Sequence, residues 1–131
     1  MSRVASWPEE LARIVAERRD LPFRWGENDC ATFAADVVLA LTGRDPAAAH
    51  RGYRSEREAL SLMRQAGGLR ALVDLSEKPA GLARRGDVVL ASCEGRETLG
   101  IVMGDGHWCA PGAQGLAFRP MNEVLAVYGI D

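Results

Sequence analysis

The strongest constraint on the fold of this chain is a change of hydrophobic texture near Gly86. Before it, apolar residues recur at helical spacing; after it, they come in short runs cut by glycine, proline or aspartate. The runs "DVVLAS", "LGIVMG", "HWCA", "GLAFRP" and "LAVYGI" are of strand length and bounded by turn formers. Helices followed by strands, without alternation, predict an α+β fold with an antiparallel sheet. The expectation is N-terminal helices packed on a C-terminal sheet that starts at about residue 86.

The helices have readable ends. Ser6-Trp7-Pro8-Glu9 is a capping sequence, and Trp7, Leu11, Ile14 and Val15 follow as one apolar stripe, predicting a helix over 7–19. "PFRWGEND" is a loop. Asp29 is the expected N-cap of a helix over 30–42, which carries Cys30, Phe33, Ala34, Val37, Val38 and Leu41 on one face and stops at Gly43. That face makes it the central core helix. Ser55-Glu56-Arg57-Glu58 is a second capping box, opening a helix over 55–66 with Leu60, Leu62 and Met63 towards the core. "RDPAAAHRGYR" reads as a connector, "LRALVDL" as one or two further helical turns, and "SEKPAGLARRG" as a linker into the sheet. Asp105-Gly106 is the strongest hairpin signal. A two-residue turn there sets residue 104 opposite 107, 103 opposite 108, and 98 near 113.

Bulk properties narrow the function. The 131 residues make one domain, 1–131, large enough for a core of its own. With 16 basic and 18 acidic residues, net charge −2, neither sign dominates, which argues against a nucleic-acid partner. No apolar run reaches the ~20 residues of a bilayer span, so no membrane insertion is expected. The opening "MSRVASWPEELARIV" goes straight into a charged amphipathic pattern, unlike a signal peptide. Cys30, Cys93 and Cys109 are odd in number and lack C-x-x-C spacing. A reducing compartment is the simplest reading, with no metal and no cofactor implied.

Cys30 is the residue with chemical promise, and it admits three readings: nucleophile, core thiol, or a core thiol descended from a nucleophile. A thiol at a helix N-terminus gains thiolate character from the amide dipoles. Free cysteine is also among the most buried residue types. Trp7, Trp25 and Trp108 are expected as core or loop anchors, Cys109 as a core residue, and Cys93 at the surface, remote from the other two.

Asp29-Cys30 at a helix start, Phe33 three residues on, "RRGDVVL" and the glycine-rich hairpin together resemble the NlpC-type papain-like cell-wall peptidases. That family shows D-C-S-G-F at its nucleophile, R-x-G-D-L-V-F opening its sheet, and H-V-G-I-Y-x-G-D-G beginning with its catalytic histidine. The resemblance spans roughly Trp25 to Val127. "WGENDCATFAADVVLALTG" and "YRSEREAL…AGG" also resemble a divergent branch of that superfamily found beside phage tail genes.

The resemblance implies a papain-like fold and puts Cys30 at the nucleophile position. Ala31-Thr32 replace Ser-Gly, and Arg85 to Val89 match the opening of the sheet. Gly100-Ile101 and Gly104-Asp105-Gly106 match the hairpin. The catalytic histidine falls on Thr98, and the third polar residue on or near Cys109. Papain-like hydrolysis needs an imidazole within hydrogen-bond reach of the thiol, and threonine cannot serve. Only His50 and His107 could replace it. His107 sits at the turn end, roughly 20 Å along the strand from Thr98; His50 lies in the connector.

Three functions follow as expectations. One is a structural protein of a phage tail tip or baseplate, with a degenerate fold and other tail proteins as partners. It would be made in the bacterial cytoplasm and carried in the virion tail. Another is a cysteine peptidase or amidase cleaving peptidoglycan stem peptides through Cys30. The last is a non-catalytic binder of peptidoglycan peptide. Without a base, the Cys30 thiol is expected at or above the ordinary ~8.5.

Overall fold

A computed structural model describes residues 2–131. Helix α1 spans Trp7–Arg18 and α2 spans Cys30–Thr42. Helix α3 spans Glu56–Ala66, and α4 is a single turn, Leu69–Leu72. Six strands follow: β1 Ser76–Lys78, β2 Val88–Cys93, β3 Arg96–Gly104, β4 His107–Gly112, β5 Gly115–Pro120 and β6 Val124–Gly129. They form one sheet in the order β1-β6-β2-β3-β4-β5, with every recorded pairing antiparallel. The fold is α+β, as the texture change predicts.

Cap chemistry explains the helix starts, with differences from expectation. Asp29 caps α2 in a reciprocal box: its Oδ1 accepts from Thr32 N–H at 2.8 Å, and Thr32 Oγ1 accepts from Asp29 N–H at 2.9 Å. Ser55 caps α3 through Glu58 N–H at 3.1 Å, but Glu58 reaches back to Arg54 N–H, so the second box is displaced by one residue. Ser6 makes no side-chain cap bond, because its backbone (φ −87°, ψ 20°) is not extended. That end is held instead by the Val4 N–H, which donates to Leu41 O at 2.8 Å.

The main core lies between the helices and one face of the sheet. Leu11, Ile14 and Val15 of α1 meet Phe33, Val37, Val38 and Leu41 of α2, over Val88, Leu90, Leu99 and Ile101. Helix α2 is thus the central helix. A smaller cluster, Val89, Ala91, Val102, Trp108, Ala110 and Val127, occupies the opposite face.

Three expectations about elements change. The sheet begins before residue 86, since Ser76–Lys78 of the expected linker pair with β6. Helix α3 does not turn all its apolar residues inward: Leu60 is 38% exposed, and Ala59 is its buried residue. The turn at Asp105-Gly106 does pair Gly104 with His107, but a bulge at Met103 then sets Val102 opposite Trp108 and Ile101 opposite Cys109. Gly104, Asp105 and Gly106 all have positive φ, the geometry that accommodates an extra residue beside a hairpin.

Candidate active-site cleft

The side chains singled out in the sequence meet, in part, around one cleft of about 790 Å³. The first turn of α2 presents Cys30 to it, half-buried where the two apolar clusters meet. Thr98 of β3 lines the same cleft, its hydroxyl making a long, weak contact of 3.4 Å to the Arg96 carbonyl. Cys30 and Thr98, the two positions that the sequence resemblance pairs as nucleophile and histidine, therefore both line the cleft.

Cys109 is elsewhere, and the bulge is the reason. Opposed residues of an antiparallel pair share a face, and a shift of one residue exchanges faces. In the expected register Cys109 would oppose Val102 and share the face of Thr98. In the observed register it opposes Ile101 and packs fully buried into the helix-side core. Trp108 and Ala110 take the Thr98 face instead and line the cleft. Cys109, on or near which the resemblance puts a third polar residue, is therefore itself outside the cleft, whose wall on this strand includes Trp108 and Ala110. Gly100 makes room for this packing, since a Cβ on it would meet the Trp108 ring at 2.4 Å.

The electrostatics of Cys30 are a contest. Burial, with the negative charge of Asp29, opposes the thiolate, whereas the backbone of Leu99 and Ala31 favours it. Burial is the largest effect, and the thiol is pushed up to about 11. Cys109 is pushed up to about 12 by burial alone. Cys93 departs from expectation. It ends β2 half-buried, lines the same cleft as Cys30, and has its pKa raised by burial.

The histidines separate. His107 is exposed at the hairpin end, with Nδ1 2.9 Å from Asp105 O. His50, unplaced by the sequence pattern, lies in the connector and lines the cleft. Nothing in the local sequence marks this connector as a cleft wall. It is held to α2 and its cap by long-range pairs, Arg51 with Asp36 at 2.7 Å and Tyr53 donating to Asp29 Oδ2 at 2.6 Å, while Asp36 also pairs with Arg18 and Arg51 pairs within the connector with Asp45 at 2.8 Å. Tyr53 is the residue that sequence reasoning missed. Burial and its bond to Asp29 raise its pKa, so it stays a neutral donor.

Asp87 has a structural post. Fully buried, it pairs with Arg3 at 2.9 Å and Lys78 at 2.6 Å, and accepts from Arg84 N–H at 2.7 Å. Trp7 lies under the Arg3 guanidinium at 4.4 Å, and Trp25 stacks edge-on with Phe23 at 4.7 Å. Trp108 is buried and donates to Pro120 O at 3.1 Å. Among the described residues no group of three or more His, Cys, Asp or Glu is arranged to hold a metal.

The architecture has a known counterpart. A crystal structure of the NlpC/p60 domain of peptidoglycan hydrolase SagA aligns with TM-score 0.59 over 92% of this chain and 97% of that one, at 15% identity. The fold is therefore the papain-like NlpC/p60 fold; at that identity the likeness speaks of fold alone. No curated protein matches the chain. A family model described as a domain of unknown function, DUF6950, matches residues 2–130, and the chain belongs to that family.

Proposed function

We propose that this protein keeps a papain-like cleft without papain-like hydrolysis, and serves as a structural component of a phage or prophage tail tip or baseplate. The observation that carries the loss of hydrolysis is the setting of Cys30. Burial raises its thiol to about 11, and by the sequence resemblance threonine, Thr98, stands at the position of the peptidases' base in the same cleft. General-base catalysis contributes ~10²–10⁴-fold where it operates, and a protonated thiol with threonine in place of an imidazole lacks the base that would supply it.

The tail assignment rests on the resemblance of "WGENDCATFAADVVLALTG" and "YRSEREAL…AGG" to tail-associated chains. Its partners would be hub and tail-tip proteins, met in the bacterial cytoplasm during assembly and retained in the virion tail. The test pairs two measurements: particle assembly and infectivity with Cys30→Ala, and a muropeptide digest by the wild type. Normal particles and no digestion are expected. Digestion products that vanish in Cys30→Ala would overturn the reading.

One observation favours a second reading, a cysteine peptidase or amidase acting on peptidoglycan stem peptides. Cys30 begins helix α2 and lines the cleft, and His50 lines the same cleft. In that case His50→Ala and Cys30→Ala would abolish the same cleavage.

A further inference from the structure

The cleft lining is of two unlike kinds. Trp25, Trp108 and Arg119 belong to one; Leu62, Met63, Leu69 and Val73 of the α3–α4 region, with Ala34, Ala35 and Val38 of α2, make the other, which is apolar. Protein interiors leave few voids larger than a water molecule, whereas about 790 Å³ is the size of a binding site. Helix α3 turns Ala59, Leu62 and Met63 to this space, and its contribution to the fully buried core is Ala59. Its apolar face lines the cleft more than it seals it.

The rim of this apolar part is acidic. Glu56 precedes the lining residues of α3, Asp74 follows those of α4, and Glu97 precedes Leu99 on β3. All three are exposed, and among the described residues none forms an ion pair. Arg51, the cation on the connector wall, is already paired with Asp36 and Asp45. Arg96 and the Glu123-paired Arg119 border the sheet side together with Glu94.

We propose that the apolar part of the cleft receives a segment of a partner polypeptide that carries aliphatic side chains flanked by lysine or arginine. The aliphatic groups fill the space between α2 and α3–α4, and the cations meet Glu56, Asp74 and Glu97. The carboxylates come from three separate elements, and cations spaced along a chain can meet them in turn. The proposal rests on the non-hydrolytic reading only in that the segment is held and not cut.

The experiment measures fluorescence anisotropy of a short labelled Leu/Lys peptide against the purified protein at low and high salt, beside a Leu/Glu peptide and dodecylamine. The Leu/Lys peptide is expected to bind, and to weaken with salt. The double variant Glu56→Lys/Glu97→Lys, at exposed positions, should bind it about tenfold less tightly, as should Leu62→Glu. The bound peptide should be recovered intact, which separates docking from any cleavage, and Glu9→Lys, an exposed charge reversal on α1 outside the cleft, should bind unchanged. Absence of Leu/Lys binding, equal binding of the Leu/Glu peptide or dodecylamine, or full binding by the folded double variant would overturn the proposal.

Discussion

Two opposed influences act on Cys30, and their magnitudes decide what the thiol can do. Burial opposes the thiolate and prevails over the backbone of Leu99 and Ala31, which favours it, leaving the thiol at about 11. Such a group is ionised only about one part in 10⁴ at neutral pH. Iodoacetamide labelling of Cys30 is therefore expected to be slow below pH 9 and to rise towards pH 11. Cys93 and Cys109 should be removed by substitution so that the curve reports one thiol. An inflection below neutrality would show a base or cation at the sulfur and contradict this account. Thr98 lines the same cleft, so Thr98→His places an imidazole on the cleft wall. That variant should lower the inflection by about one unit or more; an unchanged curve would mean that side chains at 98 do not reach the sulfur. The helix start at Cys30 was legible because caps and periodicity are local. That the thiol would not fall below its ordinary value was also expected; the size of the rise was not legible, because burial is produced by α2 meeting β3.

Elements around the cleft are joined by one carboxylate. Asp29 accepts from Thr32 N–H, Gly26 N–H and Tyr53 O–H at 2.8, 2.8 and 2.6 Å, tying the preceding loop and the connector to α2. Asp29→Ala should cost about 2–3 kcal/mol, one cap plus the stranded donors. Tyr53→Phe should cost about 1 kcal/mol. Urea unfolding measures both, and equal costs would refute the hub. Gly26 and Gly43 supply a sharper comparison, since their φ values are +79° and +80°. A Cβ at Gly43 meets nothing within 4 Å, whereas at Gly26 it would lie 1.9 Å from Tyr53 O. Gly43→Ala should cost about 1 kcal/mol for the left-handed backbone alone. Gly26→Ala should cost at least ~2 kcal/mol more, because backbone must move. Comparable midpoints for the two variants would mean that the connector does not pack on the loop as described.

At the scale of the whole molecule, the raised thiols link folding to alkaline pH. In the unfolded chain a thiol ionises near ~8.5, whereas Cys30 and Cys109 hold their protons to about 11 and about 12. Above pH ~8.5 the unfolded state therefore binds fewer protons than the folded state, and stability falls as pH rises. The contribution is fully present below that point and is lost through the folded values, at about 1.4 kcal/mol per pH unit for each thiol. Tyr53, raised by burial and Asp29, adds to the same trend at higher pH. Urea unfolding between pH 8 and 11 should show a shallower decline in Cys109→Ala than in the wild type, whatever the packing cost of the substitution. Parallel curves would show that Cys109 titrates normally in the fold.

The sequence by itself determined what depends on neighbours a few residues apart. The spans of α1, α2 and α3, the Asp29 and Ser55 caps, the order of helices before strands and the turn at Asp105-Gly106 all follow from periodicity and turn chemistry. Tertiary structure decided the rest. Strand β1 exists because β6 offers Ser76–Lys78 a free edge, and "SEK" alone carries no strand signal. The bulge at Met103 sends Cys109 to the core and Ala110 to the cleft, since one residue of register exchanges the faces of a strand. The connector becomes a cleft wall only when Arg51 finds Asp36 and Tyr53 finds Asp29. Those pairs close loops of 15 and 24 residues, and no local pattern encodes contacts at that range.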